Sequence, residues 1–439
     1  MDVIILAAGE SRRLKPLTST RPKPMLHVAG KPMLEWVLEA LSGLPERFRI
    51  SKIVIVIGYK KEIIENYFEN KFNGMEIEYV EQERELGTAD AVYVARNEVR
   101  EEEFMVINGD LISSPEFIKD LIKNHEEHNS PASLALKEVE NPSQYGVVEL
   151  KRNIVKSIKE KPEKPKSNLV NAGMYIFRRE DIFNSIEEIM QTQTKCGIPD
   201  VINKLIPDDL VHGFKCPGLW INVRHPRDLL DANKIILEEG FGSYATGTYI
   251  KKNDIVEGPC YLGENTQIEV GAQIEGPCYL GDKCHVGTNC SIGPYTSLGN
   301  GVRIGNGVVI ENSIIMPKTK IGDSSYIPDS VLGEGCILNK GTKVQKFTES
   351  ERKLCVILGD GVETGRNVLL MQGISIFPGS KIGVESVIET FRKDKAIEMI
   401  SAMMDRRKTF ISRKYTIRSE KYINAQVALL NTLYENLGK

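Results

Sequence analysis

A period of six residues governs the second half of the chain. From residue 250 an apolar side chain recurs at Ile250, Val256, Leu262, Ile268, Ile274, Leu280, Val286, Ile292, Leu298, Ile304, Ile310 and Met316. Glycine follows it at positions 263, 281, 287, 293, 299 and 305. A small or medium residue stands two places before it, as at Cys260, Thr266, Ala272, Cys278, Cys284, Cys290 and Thr296. Neither a helix nor a regular strand produces that spacing. It marks a hexapeptide parallel β-helix, whose repeats bury a core only by stacking on one another. Three hexads per coil set Cys260 directly under Cys278, so the cysteine ladder reads as small apolar core and not as metal binding. The register slips by one at Ile321 and Ile327, and again at Leu332, Leu338 and Val344. A charged insertion over 345–353 interrupts it before Leu358, Leu370, Ile376, Ile382 and Ile388 resume.

The first 239 residues follow another rule. Residues 3–8, 53–57, 77–81, 104–108, 133–139 and 174–177 read as strands, and 33–44, 61–68 and 115–125 as amphipathic helices. That alternation predicts an α/β domain with a largely parallel sheet. Ligands of such sheets bind beyond the carboxyl ends of the strands, and Gly9, Gly58 and Gly109 fall just past three of those ends. The last stretch, 390–439, lacks proline and spaces Val427, Leu430, Leu433, Tyr434 and Leu437 as a helix would. It reads as a helical cap or oligomer arm, since solenoid ends need covering. The expected organisation is therefore 1–239, 240–389 and 390–439.

Charge narrows the partners. The net charge of −3 gives no global attraction to nucleic acid or to a membrane surface. Residues 3–8 are too short to span a bilayer and follow an acidic Asp2, which argues against a signal peptide, and no later apolar run reaches membrane length. Eight cysteines form no C-x-x-C pair, so a zinc ribbon and a thioredoxin-type site are not expected. A cytoplasmic protein is expected.

The chemistry concentrates in short blocks. In DVIILAAGESRRLKPLTSTRPKPM an apolar strand opens into a loop rich in Arg and Lys. Only Gly9 fits a dinucleotide fingerprint and no G-K-[ST] follows, so neither Rossmann dinucleotide binding nor a Walker loop is supported. Backbone N–H groups of such a loop can still cradle phosphate, with Arg13 and Lys23 adding charge. Further blocks are EQERELGTADAV, FMVINGDLI, SQYGVVE, IKEKPEKP, LVNAGMYIF and WINV. A glutamine amide such as Gln82 offers both a donor and an acceptor.

LAAGESRRLKPLTSTRPKPM resembles the L-A-A-G-x-G-x-R-L-x-P-x-T-x-x-x-P-K-x-M signature of the sugar-1-phosphate nucleotidylyltransferases, and the other blocks follow in family order. The resemblance implies a Rossmann-like nucleotidyltransferase domain followed by a left-handed parallel β-helix. It implies catalysis by Arg13, holding the departing pyrophosphate, and by Lys23, at the α-phosphate or the sugar phosphate. Leu6, Ala8, Gly9, Gln82, Gly87 and Thr88 would bind the nucleotide, UTP or dTTP. Asp110, Tyr145, Gly146, Glu160, Lys161 and Asn171 would bind the sugar 1-phosphate, of GlcNAc or glucose. Mg²⁺ would sit on Asp110 and Asn222, the latter standing where many relatives have Asp but the N-acetylglucosamine-1-phosphate uridylyltransferases have Asn. Ser11 replaces the second glycine of the signature.

Some relatives add an acetyltransferase in the β-helix, where a His deprotonates the sugar amine. Asp323 stands at that position here, Ile337 replaces an expected Asn, and Asn339-Lys340-Gly341 replaces G-A-G. His285 reads as an exposed strand residue. The β-helix is thus expected to be a structural module that forms a homotrimer or a higher homo-oligomer, with a bifunctional acetyltransferase and a silent regulatory subunit as the alternatives.

Overall fold

The computed structural model describes residues 1–208, 211–239, 248–252 (backbone only), 256–345 and 356–389. The tail over 390–439 and most of the charged insertion lie outside the described residues. Met1–Val387 forms one compact unit. Among the described residues no helix is long and apolar enough to cross a membrane.

Ten strands build the N-terminal sheet. Their order is Gly146–Lys151, Ile154–Glu160, Val211–Lys215, Ala132–Glu138, Leu169–Arg178, Glu103–Asn108, Asp2–Leu6, Lys52–Ile57, Met75–Glu81 and Lys71–Phe72. One half is parallel: Asp2–Leu6 lies between Lys52–Ile57 and Glu103–Asn108, and Lys52–Ile57 pairs with Met75–Glu81. The strand Leu169–Arg178 then runs antiparallel to both of its neighbours, so the sheet is mixed and not largely parallel. Both faces are covered, which explains the unbroken apolar runs. Val3, Ile5, Ile53 and Ile55 pack on one side with the helices Met33–Ser42 and Pro115–His128. Ile4, Val54 and Val56 pack on the other with Thr88–Val94, Arg179–Met190 and Ile198–Leu205.

The hexads form three parallel ladders, as in the left-handed β-helix that the family resemblance implies. Val256, Ile274, Ile292, Ile310 and Ile327 stack in one, and Ile268, Val286, Ile304, Ile321 and Leu338 in the second. The third runs through Leu262, Leu280, Leu298, Ile315, Leu332, Leu358 and Ile376. Two expectations shift. Ile250 lies on Thr248–Lys252, which pairs antiparallel to Val256–Leu262, so the parallel ladders begin at Val256. The first slip comes before Met316, because Leu298 stacks on Ile315. Cys260 does pair with Cys278, and the cysteines of the β-helix that are described are buried and free.

Corners of the coil are held by a repeated device. Asp282, Asn300, Asn306, Asp323 and Asp360 each accept, through Oδ1, a backbone N–H from the coil below at 2.8–3.0 Å. Asp323, at the place of the acetyltransferase His, is one of these corner residues.

One outward row of the solenoid is not solvated. Tyr261, Tyr279, Ser297, Ile314, Val331 and Ile357 stack in register and are all buried. The apolar members pack with Met316 against Leu14, Leu17, Leu26, Met33, Leu229 and Leu230 of the N-terminal half. The fully buried Asn233 serves the seam: Oδ1 accepts from Ala29 N and Ser297 Oγ, and Nδ2 donates to the Tyr295 carbonyl. Gly30, at φ +85°, sits where a Cβ would come within 2.1 Å of the Tyr279 ring. The close approach there needs glycine.

Candidate active site

The basic loop leaves the sheet where the strand Asp2–Leu6 ends, and winds through three short 3₁₀ turns, Arg12–Leu14, Leu17–Ser19 and Lys23–Met25. Ser11 takes φ 53°, ψ 55°, a left-handed conformation that glycine adopts without cost. The signature's glycine is thereby accounted for, and here a serine accepts the strain. Glu10 pairs with Arg12 and Lys15, both at 2.7 Å, and hydrogen bonds from Lys15 and Arg12 hold its carboxyl below the ordinary range. Arg13, between them, makes no ion pair among the described residues and lines the cavity. It is thus available to an anion.

Two cavities, of about 560 and 480 Å³, open beside this loop. The larger is lined by Arg13, Lys23, Asp110, Tyr145, Gly146, Glu160, Lys161, Asn171 and Asn222, every residue expected at the sugar phosphate, the metal and catalysis. The smaller is lined by Leu6, Ala8, Gly9, Gln82, Gly87 and Thr88, every residue expected at the nucleotide. Ser11, Thr88, Asn108 and Asp110 line both, so the cavities adjoin there.

At the junction Lys23 Nζ pairs with Asp110 Oδ2. Lys23 is almost fully buried, whereas the Asp110 side chain keeps 27% of its surface exposed. Asp110 follows the strand Glu103–Asn108 through Gly109. The short strand Leu111–Ser113 then pairs with Trp220–Asn222, with Leu111 opposite Asn222, which brings the Asn222 backbone alongside Asp110. One carboxylate and one amide oxygen on a common cavity form an all-oxygen donor set. Such a set suits Mg²⁺, which takes one or two protein oxygens and fills its shell with phosphate and water.

The smaller cavity is more constrained than the sequence suggested. Gln82 Nε2 donates to Asp90 Oδ2 at 2.6 Å and to the Gly87 carbonyl at 3.1 Å. Two acceptors fix the amide orientation and use both N–H groups, so Oε1 is the polar atom left to a ligand. The expectation of a donor and an acceptor narrows to an acceptor. Thr88 opens the helix Thr88–Val94, and its Oγ1 accepts from Ile198 N at 2.9 Å.

In the larger cavity a register shift between Asn171 and Tyr175 bulges the strand Leu169–Arg178. Asn171 Nδ2 donates to the Tyr175 hydroxyl at 2.7 Å, and Gly173 N donates to Asn171 Oδ1 at 3.1 Å. Bulges re-aim side chains next to active sites, and this one orients Asn171. Lys161 pairs with Glu160 at 3.1 Å, both half-exposed. Sequence reasoning missed Asn108, Tyr175, Asp200 and Arg224, which also line this cavity. Arg224 lies 4.2 Å over the Tyr145 ring and donates to Gln144 Oε1 at 2.9 Å. Its signal was available: it stands two residues past Asn222, on the same side of an extended chain.

The Nucleotidyl transferase family model matches residues 2–239, more than half of the chain, and the GMPPB C-terminal domain model matches residues 274–391. The bifunctional protein GlmU of Methanocaldococcus jannaschii is 39% identical over 267 residues, which cover 60% of this chain and 60% of that protein. The chain therefore spans about three fifths of the length of this relative. The low-salt glycan biosynthesis nucleotidyltransferase Agl11 of Haloferax volcanii is 34% identical over 54% of this chain and 67% of its own. Probable mannose-1-phosphate guanylyltransferase 2 of Oryza sativa subsp. japonica is 30% identical over 61% of this chain and 74% of its own. With its sheet, its basic loop and this extent of match, the chain belongs to the nucleotidyl transferase family.

Proposed function

We propose that the chain is a sugar-1-phosphate nucleotidylyltransferase, joining UTP or dTTP to GlcNAc-1-phosphate or glucose 1-phosphate with release of pyrophosphate. One observation carries the reading: the two cavities adjoin at Asp110, whose carboxylate pairs with Lys23 of the larger one, and there an α-phosphate and a sugar phosphate would come together. The names of the relatives, which include a guanylyltransferase for mannose 1-phosphate, support the sugar-phosphate class.

The residues divide the work as follows. The sugar-phosphate oxygen forms a bond to the α-phosphorus in line as the bond to pyrophosphate breaks, and charge grows on the departing oxygens. Arg13 would hold that pyrophosphate, and Lys23, already inside the site, would face the α-phosphate. Fixed cations of this kind stabilise developing charge without reorganising. Asp110 and Asn222 would hold Mg²⁺, which when bound supplies further charge neutralisation on the phosphates. Gln82 Oε1 would accept the imide N–H of uracil or thymine, while cytosine, with an acceptor at that edge, would be refused. Glu160, Tyr145 and Asn171 would shape the hexose site. Such an enzyme would act in the cytoplasm, with its substrates.

The acetyltransferase alternative is the weaker because Asp323 accepts the Asn306 N–H as a corner residue, and a carboxylate so held is a poor substitute for an imidazole base. Pyrophosphate release by the full chain with Mg²⁺, across a grid of nucleoside triphosphates and sugar 1-phosphates, tests the reading. Release is expected with UTP or dTTP and with GlcNAc-1-phosphate or glucose 1-phosphate. Silence across the grid, or turnover with GTP alone, would overturn it. A homotrimer or higher homo-oligomer through the β-helix belongs to the same proposal; light scattering should return at least three times the chain mass, and a monomer would refute that part.

A further inference from the structure

The loop that carries Arg13 and Lys23 has little structure of its own. Its three turns contribute a few short backbone bonds, Leu14 N to Ser11 O, Ser19 N to Pro16 O and Leu26 N to Lys23 O among them. Other elements hold it from two sides. From the turn after the strand Lys52–Ile57, the Tyr59 hydroxyl donates to the carbonyls of Thr18 and Ser19, at 3.0 and 3.2 Å. From the β-helix, Asp360 Oδ2 accepts Thr20 Oγ1 at 2.7 Å and Arg21 Nη2 at 2.6 Å, and Glu334 Oε2 accepts the same nitrogen at 3.0 Å.

Arg21 is 7% exposed and stands two residues before Lys23. Its Nε is buried without a partner, so the guanidinium is held through Nη2 alone among the contacts described. Burial works against its charge, and the carboxylates of Asp360 and Glu334 more than offset that. Glu334 is itself braced by Lys318 at 2.7 Å. Asp360 meanwhile does what Asp282, Asn300 and Asn306 do at other corners: Oδ1 accepts a backbone N–H, from Glu334. Asparagine serves at two of those corners, so the fold does not require a carboxylate there. At position 360 the second oxygen takes both loop contacts.

We propose that Asp360 of the β-helix is a positioning residue for nucleotidyl transfer, fixing through Arg21 and Thr20 the segment that delivers Lys23 to the cavity junction. The solenoid thereby forms part of the scaffold of the active site. The kinetic arm of this inference rests on the function proposed above; the anchoring of the loop does not.

Asp360→Asn in the full chain separates the two. The amide keeps Oδ1 for the corner but turns an N–H₂ toward Arg21. We expect amide hydrogen exchange over residues 12–26 to quicken at least about tenfold, while the sheet strand over residues 52–57 is unchanged. We expect kcat for pyrophosphate release to fall about 10- to 100-fold, as misplacement by an ångström does elsewhere, with KM for both substrates changed far less. The melting temperature should stay within about 2 °C of wild type. Asp282→Asn, at a corner remote from the loop contacts, is the control and should match wild type in all three. Loop exchange equal to wild type would overturn the proposal whatever the activity. So would faster exchange with an unchanged kcat, since Asp360 would then be glue and not a positioning residue. A wild-type chain that turns over no substrate would overturn the functional reading by itself, and with it the kinetic arm.

Discussion

Asp110→Asn should lower kcat for pyrophosphate release by at least about 1,000-fold, and raising Mg²⁺ should not restore it. Two losses combine. The proposed metal pair, Asp110 and Asn222, offers one carboxylate and one amide oxygen, so the substitution removes its only formal negative charge. A neutral oxygen pair leaves a hard cation to the phosphates alone. The second loss concerns Lys23, which is 6% exposed and has Asp110 as its ion-pair partner. Removing one member of a largely buried pair leaves an uncompensated charge, typically worth about 3–5 kcal/mol. Part of that cost appears as a lower melting temperature without ligand, because Asp110 is itself partly solvated and Lys23 can relax toward water. Nucleoside triphosphate should recover some of it by giving Lys23 a new anion. The side-chain volume is nearly unchanged, so packing cannot account for the effect. A kcat within about threefold of wild type would remove Asp110 from the site.

Much of the fold was legible because it obeys simple periods. The hexads predicted the three ladders, and the stacking of Cys260 on Cys278 followed from three hexads per coil. What periodicity could not give was direction. The strand Leu169–Arg178 is as apolar as the strands of the parallel half, and nothing local says that it runs the other way. Nor could it find the slip at Ile315, because Ile314, Ile315 and Met316 are all apolar and any of them fits the register. They are apolar for different reasons. Ile315 faces the coil, while Ile314 and Met316 join the seam with the N-terminal half. The row Tyr261, Tyr279, Ile314, Val331 and Ile357 was a signal: outward positions on the second ladder are Gln267, His285, Arg303, Lys320 and Glu363, with Ile337 the one apolar member among these. An apolar outward row needs a partner surface.

The site divides in the same way. Residues in contiguous motifs were found, since the turn that follows a strand delivers them together. Asp200 was not, because cavity walls are assembled from segments distant in the chain; Tyr175 lies inside a quoted block and Arg224 directly follows one, and only the shared cavity singles them out. The Gln82 amide was read as offering both a donor and an acceptor. Its amide has two ends, and only the structure shows that Asp90 and the Gly87 carbonyl occupy one of them.

Gly87→Ala should raise KM for the nucleotide at least about tenfold, through backbone geometry alone. Gly87 takes φ +118°, ψ 174°, a region essentially confined to glycine, where another residue costs about 1–3 kcal/mol. Space is a second obstacle. A Cβ would lie 2.1 Å from the Cys196 carbonyl oxygen and 2.7 Å from its carbon, both backbone atoms that no rotamer change can clear. The segments must part, and their parting undoes a local network. Cys196 N donates to Leu86 O at 2.8 Å, Ala89 N to Cys196 O at 3.1 Å, and Ile198 N to Thr88 Oγ1 at 2.9 Å. The Gly87 carbonyl that orients Gln82 moves with them. Each hydrogen bond contributes about 1 kcal/mol, so the local cost reaches several kcal/mol. In a chain of 439 residues that is a modest shift in melting temperature, which makes nucleotide KM the sensitive readout. Gly74→Ala separates the causes: at φ +84° it carries backbone strain, but nothing lies within 4 Å of its Cβ and it does not line either cavity. Gly74→Ala should leave KM unchanged. If Gly87→Ala does the same, the close approach of Cys196 is not what shapes the nucleotide cavity, and the turn at residue 87 is an ordinary one.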